Sequence, residues 1–189
     1  MSNPDVIIQL DRRLDMTKKY KFREQLAKGE AAEDELDSLF RLRGWKIAPT
    51  EMADQRRGID RWFSVSMKPG VTSVEYKSDF RAHDTGNVYL ETVSVGKYED
   101  DEFVVKKKGW LWTTEADYLM YYIPGDRRLL LFLPKDLRNF VVENEKGLRS
   151  VSVKNQGYQG RGLLVPVARL AKIARKDWQI GVDKQLTLV

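Results

Sequence analysis

Two short stretches of the chain, Tyr118–Ile123 and Leu129–Leu133, are almost wholly apolar, and runs of that length and composition read as β-strands that a sheet must bury. The neighbouring sequence supplies more strands: Trp45–Ala48, about Ile59–Met67 with Phe63, Val65 and Met67 on one face, Val71–Ser78, Asn87–Ser94 and Trp110–Trp112. Lys68-Pro69-Gly70 reads as a turn, Asp79–Gly86 as a polar loop, and residues 95–109 as a loop or edge hairpin, being too charged to bury. From about Thr17 to Arg43 the 3.6-residue period sets Ala32, Leu36, Leu39, Phe40 and Leu42 on one side of a helix, with Gly29 a candidate break and Gly44 a natural stop. Pro134 opens a second helix through about Val142; Gly157, Gly160 and Gly162 mark a flexible turn; Pro166–Lys176 reads as a closing amphipathic helix. The expectation is one α/β domain over residues 1–189, a central mixed β-sheet flanked by helices, with residues 1–16 a loosely held N-terminal arm.

The chemistry open to such a domain is narrow. The sequence has no cysteine and one histidine, His83, which removes disulfides, thiolate zinc sites, cysteine nucleophiles and multi-histidine metal sites. A serine triad would have to use His83, and there is no Gly-x-Ser-x-Gly elbow to support it. A metal would therefore be held chiefly by oxygen, which favours magnesium or manganese over zinc. No signal-peptide pattern or membrane-length apolar run occurs, so the expected setting is soluble and cytoplasmic. Net charge is +5, and the eight basic residues between Lys146 and Lys176 are unaccompanied by any acid. With Lys106-Lys107-Lys108 and the basic stretch Arg12–Lys28, these are separate basic segments that fit a polyanion if they converge.

The acids are dispersed but ordered. Strand alternation projects Glu75 and Lys77 from one face and Val74 and Tyr76 from the other. Asp60 follows Gly58-Ile59, and Glu33 and Glu35 flank the helical stripe on opposite edges, a choice the helical wheel alone leaves open. Carboxylates beside an ammonium suit a hard divalent cation, with the lysine steering a water or a developing negative charge.

Helical Glu33, then Gly58-Ile59-Asp60, then Glu75-Tyr76-Lys77 resembles the PD-(D/E)XK nuclease superfamily, whose core is a mixed sheet carrying the acids between helices (a restriction-endonuclease-like core). The pattern Ala32-Glu33-x-x-Leu36-x-x-Leu39-Phe40-x-x-x-Gly44-Trp45 is similar to the family's first helix and favours Glu33 over Glu35. Thr85-Gly86-Asn87-Val88-Tyr89-Leu90-Glu91 and Thr114-Glu115-Ala116-Asp117-Tyr118 resemble a branch common among small phage-encoded endonucleases and Holliday junction resolvases. The resemblance spans roughly residues 28–123, with Ile59 where the signature has proline.

It implies a Mg2+-dependent DNA endonuclease, Mn2+ being a substitute, selective for branched DNA and placed in DNA recombination, in the host cytoplasm if phage-encoded. Asp60, Glu75 and the Tyr76 carbonyl would bind the metal, Glu33 a second ion or a metal-bound water, and Lys77 would position water or stabilise charge. Glu91, Glu35 and Ser78 are site-adjacent candidates. Arg81, Lys106, Lys107, Lys108, Arg169 and Lys172 are candidates for nucleic-acid contact, and Trp110 and Trp112 could stack on bases but more simply pack. Asp117 reads as structural and His83 as an ordinary loop residue. A homodimer is left open, and the competing reading is a non-catalytic nucleic-acid-binding or assembly protein on the same fold.

Overall fold

The computed structural model describes residues 22–65, 68–155 and 157–181, so the expected N-terminal arm and the start of the first helix lie outside the described residues. The described residues form a mixed α/β architecture: a six-stranded mixed sheet and a four-stranded antiparallel sheet, flanked by helices.

Helix α1 (Phe22–Arg41) runs unbroken through Gly29, and the turn after it closes at Gly44, whose φ of +84° is the left-handed conformation glycine adopts without strain. Ala32, Leu36 and Phe40 are buried as the period requires, whereas Leu42, beyond the last helical turn, is 86% exposed, against expectation. Strand β1 (Trp45–Pro49), short helix α2 (Met52–Arg56), β2 (Arg61–Val65) and β3 (Lys68–Ser78) follow. Val65 faces Lys68 across the β2–β3 hairpin, so Lys68-Pro69-Gly70 opens a strand instead of making the expected turn. The expected polar loop holds one short helix, α3 (Ala82–Thr85), capped by two backbone N–H donations to Asp79.

Strand β4 (Asn87–Glu99) and β5 (Glu102–Lys108) form the edge hairpin allowed for residues 95–109. Trp110–Trp112 is not a strand. It lies in helix α4 (Trp110–Thr113), because Leu111 must turn inward while both tryptophans pack against the same core from its rim. Strands β6 (Tyr118–Ile123) and β7 (Arg128–Phe132) precede helix α5 (Pro134–Asn144). Strands β8 (Arg149–Asn155) and β9 (Tyr158–Pro166) form a second hairpin, in which only Gly157 belongs to a turn. Gly162 is a packing glycine within β9: a Cβ there would stand 2.4 Å from the Tyr89 ring. The expected closing helix shrinks to α6 (Val167–Ala171), and Lys176 starts strand β10 (Lys176–Gln179), which pairs with β7 because Trp178 and Ile180 complete the core.

The first sheet has the order β1-β2-β3-β6-β7-β10 and is parallel only between β3 and β6; the second has the order β5-β4-β9-β8. Alternation along β6 and β7 sends Met120, Tyr122, Leu129 and Leu131 to the α1 face, and Leu119, Tyr121, Ile123, Leu130 and Phe132 to the other. That second face packs on Val88, Leu90, Leu163 and Val165 of the second sheet and on α5. Burial on both sides is why these strands are continuously apolar rather than alternating. Phe40 meets Phe63 edge-on at 5.3 Å between ring centres and fixes α1 on the sheet. Phe40→Ala will lower the unfolding free energy by roughly 3–5 kcal/mol in a denaturant titration. No helix among the described residues is long and apolar enough to cross a membrane.

Candidate active site

The site forms where β2 stops alongside β3. Arg61 is the first residue of β2 and stands opposite Val74, so the edge of β3 beyond Val74 loses its strand partner there. Asp60 takes over the ladder. Its backbone N–H donates to the Val74 carbonyl at 2.9 Å, and its Oδ2 accepts the Tyr76 N–H at 2.8 Å. A carboxylate thus fills the position a strand carbonyl would occupy, which satisfies the backbone and puts Asp60 beside Glu75 and Lys77.

Glu75 is 2% exposed. Its Oε1 lies 2.6 Å from Lys77 Nζ, while its buried Oε2 has no hydrogen-bond partner among the described residues. The Thr114 hydroxyl, 3.2 Å from the Gly58 carbonyl, is also close enough to Glu75 to favour the ionised carboxylate. Burial raises the Glu75 pKa, and Asp60 adds to the rise; Lys77 and Thr114 oppose it without cancelling it. Lys77 shifts upward even though its surroundings disfavour charge, because Glu75, Asp60 and Glu33 all attract the ammonium. Trp110 closes one side, with Lys77 Nζ 6.0 Å from the ring centre.

Glu33 reaches the same edge from α1. Its pKa is raised by burial and by Asp60, against the attraction of Arg61 and Lys77. Glu35 is elsewhere: it accepts the Tyr122 hydroxyl at 2.9 Å and sits 3.7 Å from Arg127. The fold therefore brings Glu33, Asp60, Glu75 and Lys77 together and leaves Glu35 out. Among the described residues, no group of three or more His, Cys, Asp or Glu side chains is arranged as a ready metal cage. The ammonium of Lys77 supplies positive charge among the acids instead. The residues nonetheless fit a hard cation: the donors are oxygens, and one buried carboxylate oxygen has no other partner.

The remaining candidates are dispersed. Glu91 accepts the Trp110 N–H through Oε2 at 3.3 Å, so it caps α4 next to the site instead of pairing with a surface lysine. Ser78 faces Tyr122 across the β3–β6 pair and falls on the face of β3 that carries Tyr76, away from Lys77. Asp117 binds the backbone N–H and the hydroxyl of Ser73, a structural tie. His83 lies in α3, against Asp126. Arg81 is exposed just before α3, and Lys106 pairs with Glu99, leaving Lys107 and Lys108 nearest Gly109 and Trp110. Arg169 donates to Asn144 at 2.7 Å, and Lys172 lines a groove with Asp136 and Glu143; both belong to the α5–α6 corner.

Sequence reasoning missed Arg61 and Asp37 and gave Thr114 no role beyond its place in a motif. Asp37 stands four residues after Glu33 on α1, and Arg61 directly follows Asp60, so adjacency to the acids was the available signal. Gly58 was read only as part of a motif. Its φ is +72°, and an added Cβ would meet Thr114 Cα at 3.0 Å and Glu75 Oε2 at 3.3 Å. Gly58→Ala will cost roughly 1–2 kcal/mol from the left-handed backbone alone, visible as a lower melting temperature, and will impair function by shifting Glu75.

No family model matches the chain, and no curated protein matches it significantly. Among solved structures it is similar to a bacterial homing endonuclease, I-Ssp6803I, with a TM-score of 0.42 and 16% identity over 60% of this chain and 71% of that one.

Proposed function

We propose that the protein is a metal-dependent phosphodiesterase that cuts DNA, built on the PD-(D/E)XK plan. The carrying observation is Glu75: a carboxylate 2% exposed, with one oxygen on Lys77 and the other without a partner, beside Asp60. Leaving such an oxygen unsatisfied costs on the order of 1–3 kcal/mol or more, an expense that a ligand-binding role explains. Asp60, Glu75 and the Tyr76 carbonyl would hold Mg2+, with Glu33 contributing through water or to a second ion. A cation bound there supplies Lewis acidity toward a phosphoryl oxygen and lowers the pKa of a water. Lys77 stays protonated, since three carboxylates raise its pKa, so its part is to neutralise charge on the attacked phosphate rather than to abstract a proton. Lys107, Lys108 and Arg81, all exposed, are the cations proposed to meet the phosphate backbone. Selectivity for branched DNA belongs to the same proposal.

One observation favours a second reading, a binding or assembly protein that no longer cuts: the 2.6 Å Lys77–Glu75 ion pair satisfies both charges without a metal. The test incubates the full chain with supercoiled plasmid, linear duplex, single strand and four-way junction, with Mg2+, Mn2+ or chelator. Metal-dependent nicking or junction resolution supports the nuclease. Tight binding with no cutting of any substrate supports the alternative, and cutting in chelator contradicts the mechanism.

A further inference from the structure

Two charged residues, Arg61 and Asp37, lie directly behind the acids, and the proposed chemistry does not use them. The Arg61 guanidinium makes three different contacts: Nη2 to Glu33 Oε2 at 3.2 Å, Nη1 to the Asp60 carbonyl at 2.8 Å, and Nε to Asp37 Oδ2 at 2.9 Å. Asp37 is only 4% exposed, and its other oxygen accepts the Tyr76 hydroxyl at 3.1 Å. Tyr76 in turn donates its backbone N–H to the Asp60 carboxylate. The contacts close a loop from Asp60 through Tyr76, Asp37 and Arg61 back to Asp60, and Glu33 hangs from it by the guanidinium.

Resting on the nuclease reading, we infer that Arg61, locked by Asp37, is a positioning residue that holds the helical acid Glu33 in the site. Glu33 is on α1 and Asp60 on the sheet edge, and the two carboxylates repel; burial also disfavours the Glu33 anion. Left to itself, Glu33 would turn to solvent, where a glutamate on an exposed helix edge gains hydration and rotamer freedom. Arg61 reverses that preference by offering one prong of a planar fork whose other prongs are already fixed on a backbone carbonyl and a buried carboxylate. A lysine cannot reproduce this, because its ammonium is a single point charge on a flexible stem. The arrangement is also one that simple electrostatics would not select. A cation beside the acids weakens attraction for a metal, so its placement makes sense as geometry rather than charge.

That opposition of sign makes the inference testable without cleavage. Mn2+ is titrated calorimetrically into the full chain, without DNA, for the wild type, Arg61→Lys, Arg61→Met, Glu33→Gln and the Arg61→Lys/Glu33→Gln double variant; circular dichroism checks the fold of each. Arg61→Lys keeps the charge and loses the fork, and will weaken Mn2+ by about 10-fold or more. It will lower kcat on plasmid with KM unchanged. Glu33→Gln will do the same, and the double variant will be no worse than either single one, since both remove one function. Tighter Mn2+ binding in Arg61→Met, or independent additive effects in the double variant, overturns the positioning role. A wild type that binds Mn2+ and cuts DNA alongside Arg61 variants that match it overturns this inference alone. A wild type that binds no Mn2+ and cuts nothing overturns both it and the nuclease reading.

Discussion

Glu75→Gln will reduce Mg2+-supported DNA cleavage by roughly 10³-fold or more, the rate equivalent of several kcal/mol of lost charge stabilisation, while the melting temperature of the metal-free protein stays level or rises. The two halves of this expectation come from one cause. Glu75 has a folded-state pKa above its ordinary value because burial outweighs the attraction of Lys77. A carboxylate raised in this way destabilises the fold at any pH above that raised value, since ionising it is easier in the unfolded chain. Glutamine keeps the shape and removes the charge, so the fold loses a cost and the reaction loses a ligand. Asp60→Asn separates differently. Its Oδ2 accepts the Tyr76 N–H in the strand ladder, so asparagine can keep that bond through its carbonyl oxygen while losing the charge that a cation requires. Gel assays of plasmid nicking alongside thermal denaturation check both variants. Full activity in either would refute the site.

Lys77→Met acts in the opposite direction on stability. Removing the ammonium leaves Glu75 buried without its counter-charge, and breaking a buried pair from one side costs about 3–5 kcal/mol in fully enclosed cases. Lys77 is 28% exposed at its side chain, so the lower end of that range, about 3 kcal/mol, is the expected loss near neutral pH. The loss has a definite pH signature. It is absent below the raised folded pKa of wild-type Glu75, grows as pH rises through that value, and is complete above the still higher value the carboxyl takes without Lys77, because the protonated carboxyl needs no partner. Cleavage drops by roughly 10²–10³-fold, the usual effect of removing one charge-stabilising group. Denaturant titrations at a series of pH values, compared with the wild type, read the stability change directly. A loss that grew as pH fell would show that Lys77 does not answer to Glu75.

What the residues disclosed in advance follows the physics of each segment. The α1 stripe from Ala32 to Phe40, the Glu75/Lys77 alternation and the continuously apolar β6 and β7 runs are signals within single elements, and the structure keeps them, while Leu42 of the same stripe falls past the helix end and is exposed. Segments whose conformation depends on distant partners were misread. Trp110–Trp112 has the composition of a strand but winds into α4, held by the Glu91 cap and by the Arg138 donation to the Leu111 carbonyl at 2.8 Å. Lys176 continues an amphipathic pattern, yet β7 offers an open edge and Trp178 a place in the core, so β10 forms there. The second sheet was hidden because its two hairpins join through β4 and β9, far apart in sequence, a register no local window contains. The helix period left Glu33 and Glu35 equivalent; tertiary partners distinguish them, Arg61 drawing one to the site and Tyr122 the other away. Likewise the spread of basic residues does not reveal that Arg169 is engaged with Asn144 and Phe140.

The most direct test of the central claim is a thermal-denaturation series of wild type and Glu75→Gln against increasing Mg2+, with Asp60→Asn as a second reference. A ligand that binds only the folded state stabilises it by about 2.7 kcal/mol at a concentration one hundred times its Kd. The wild-type transition will climb with Mg2+, and both variants will stay flat. A wild-type transition indifferent to Mg2+ and Mn2+, or one that climbs equally in Glu75→Gln, would mean that the buried carboxylate does not hold a cation.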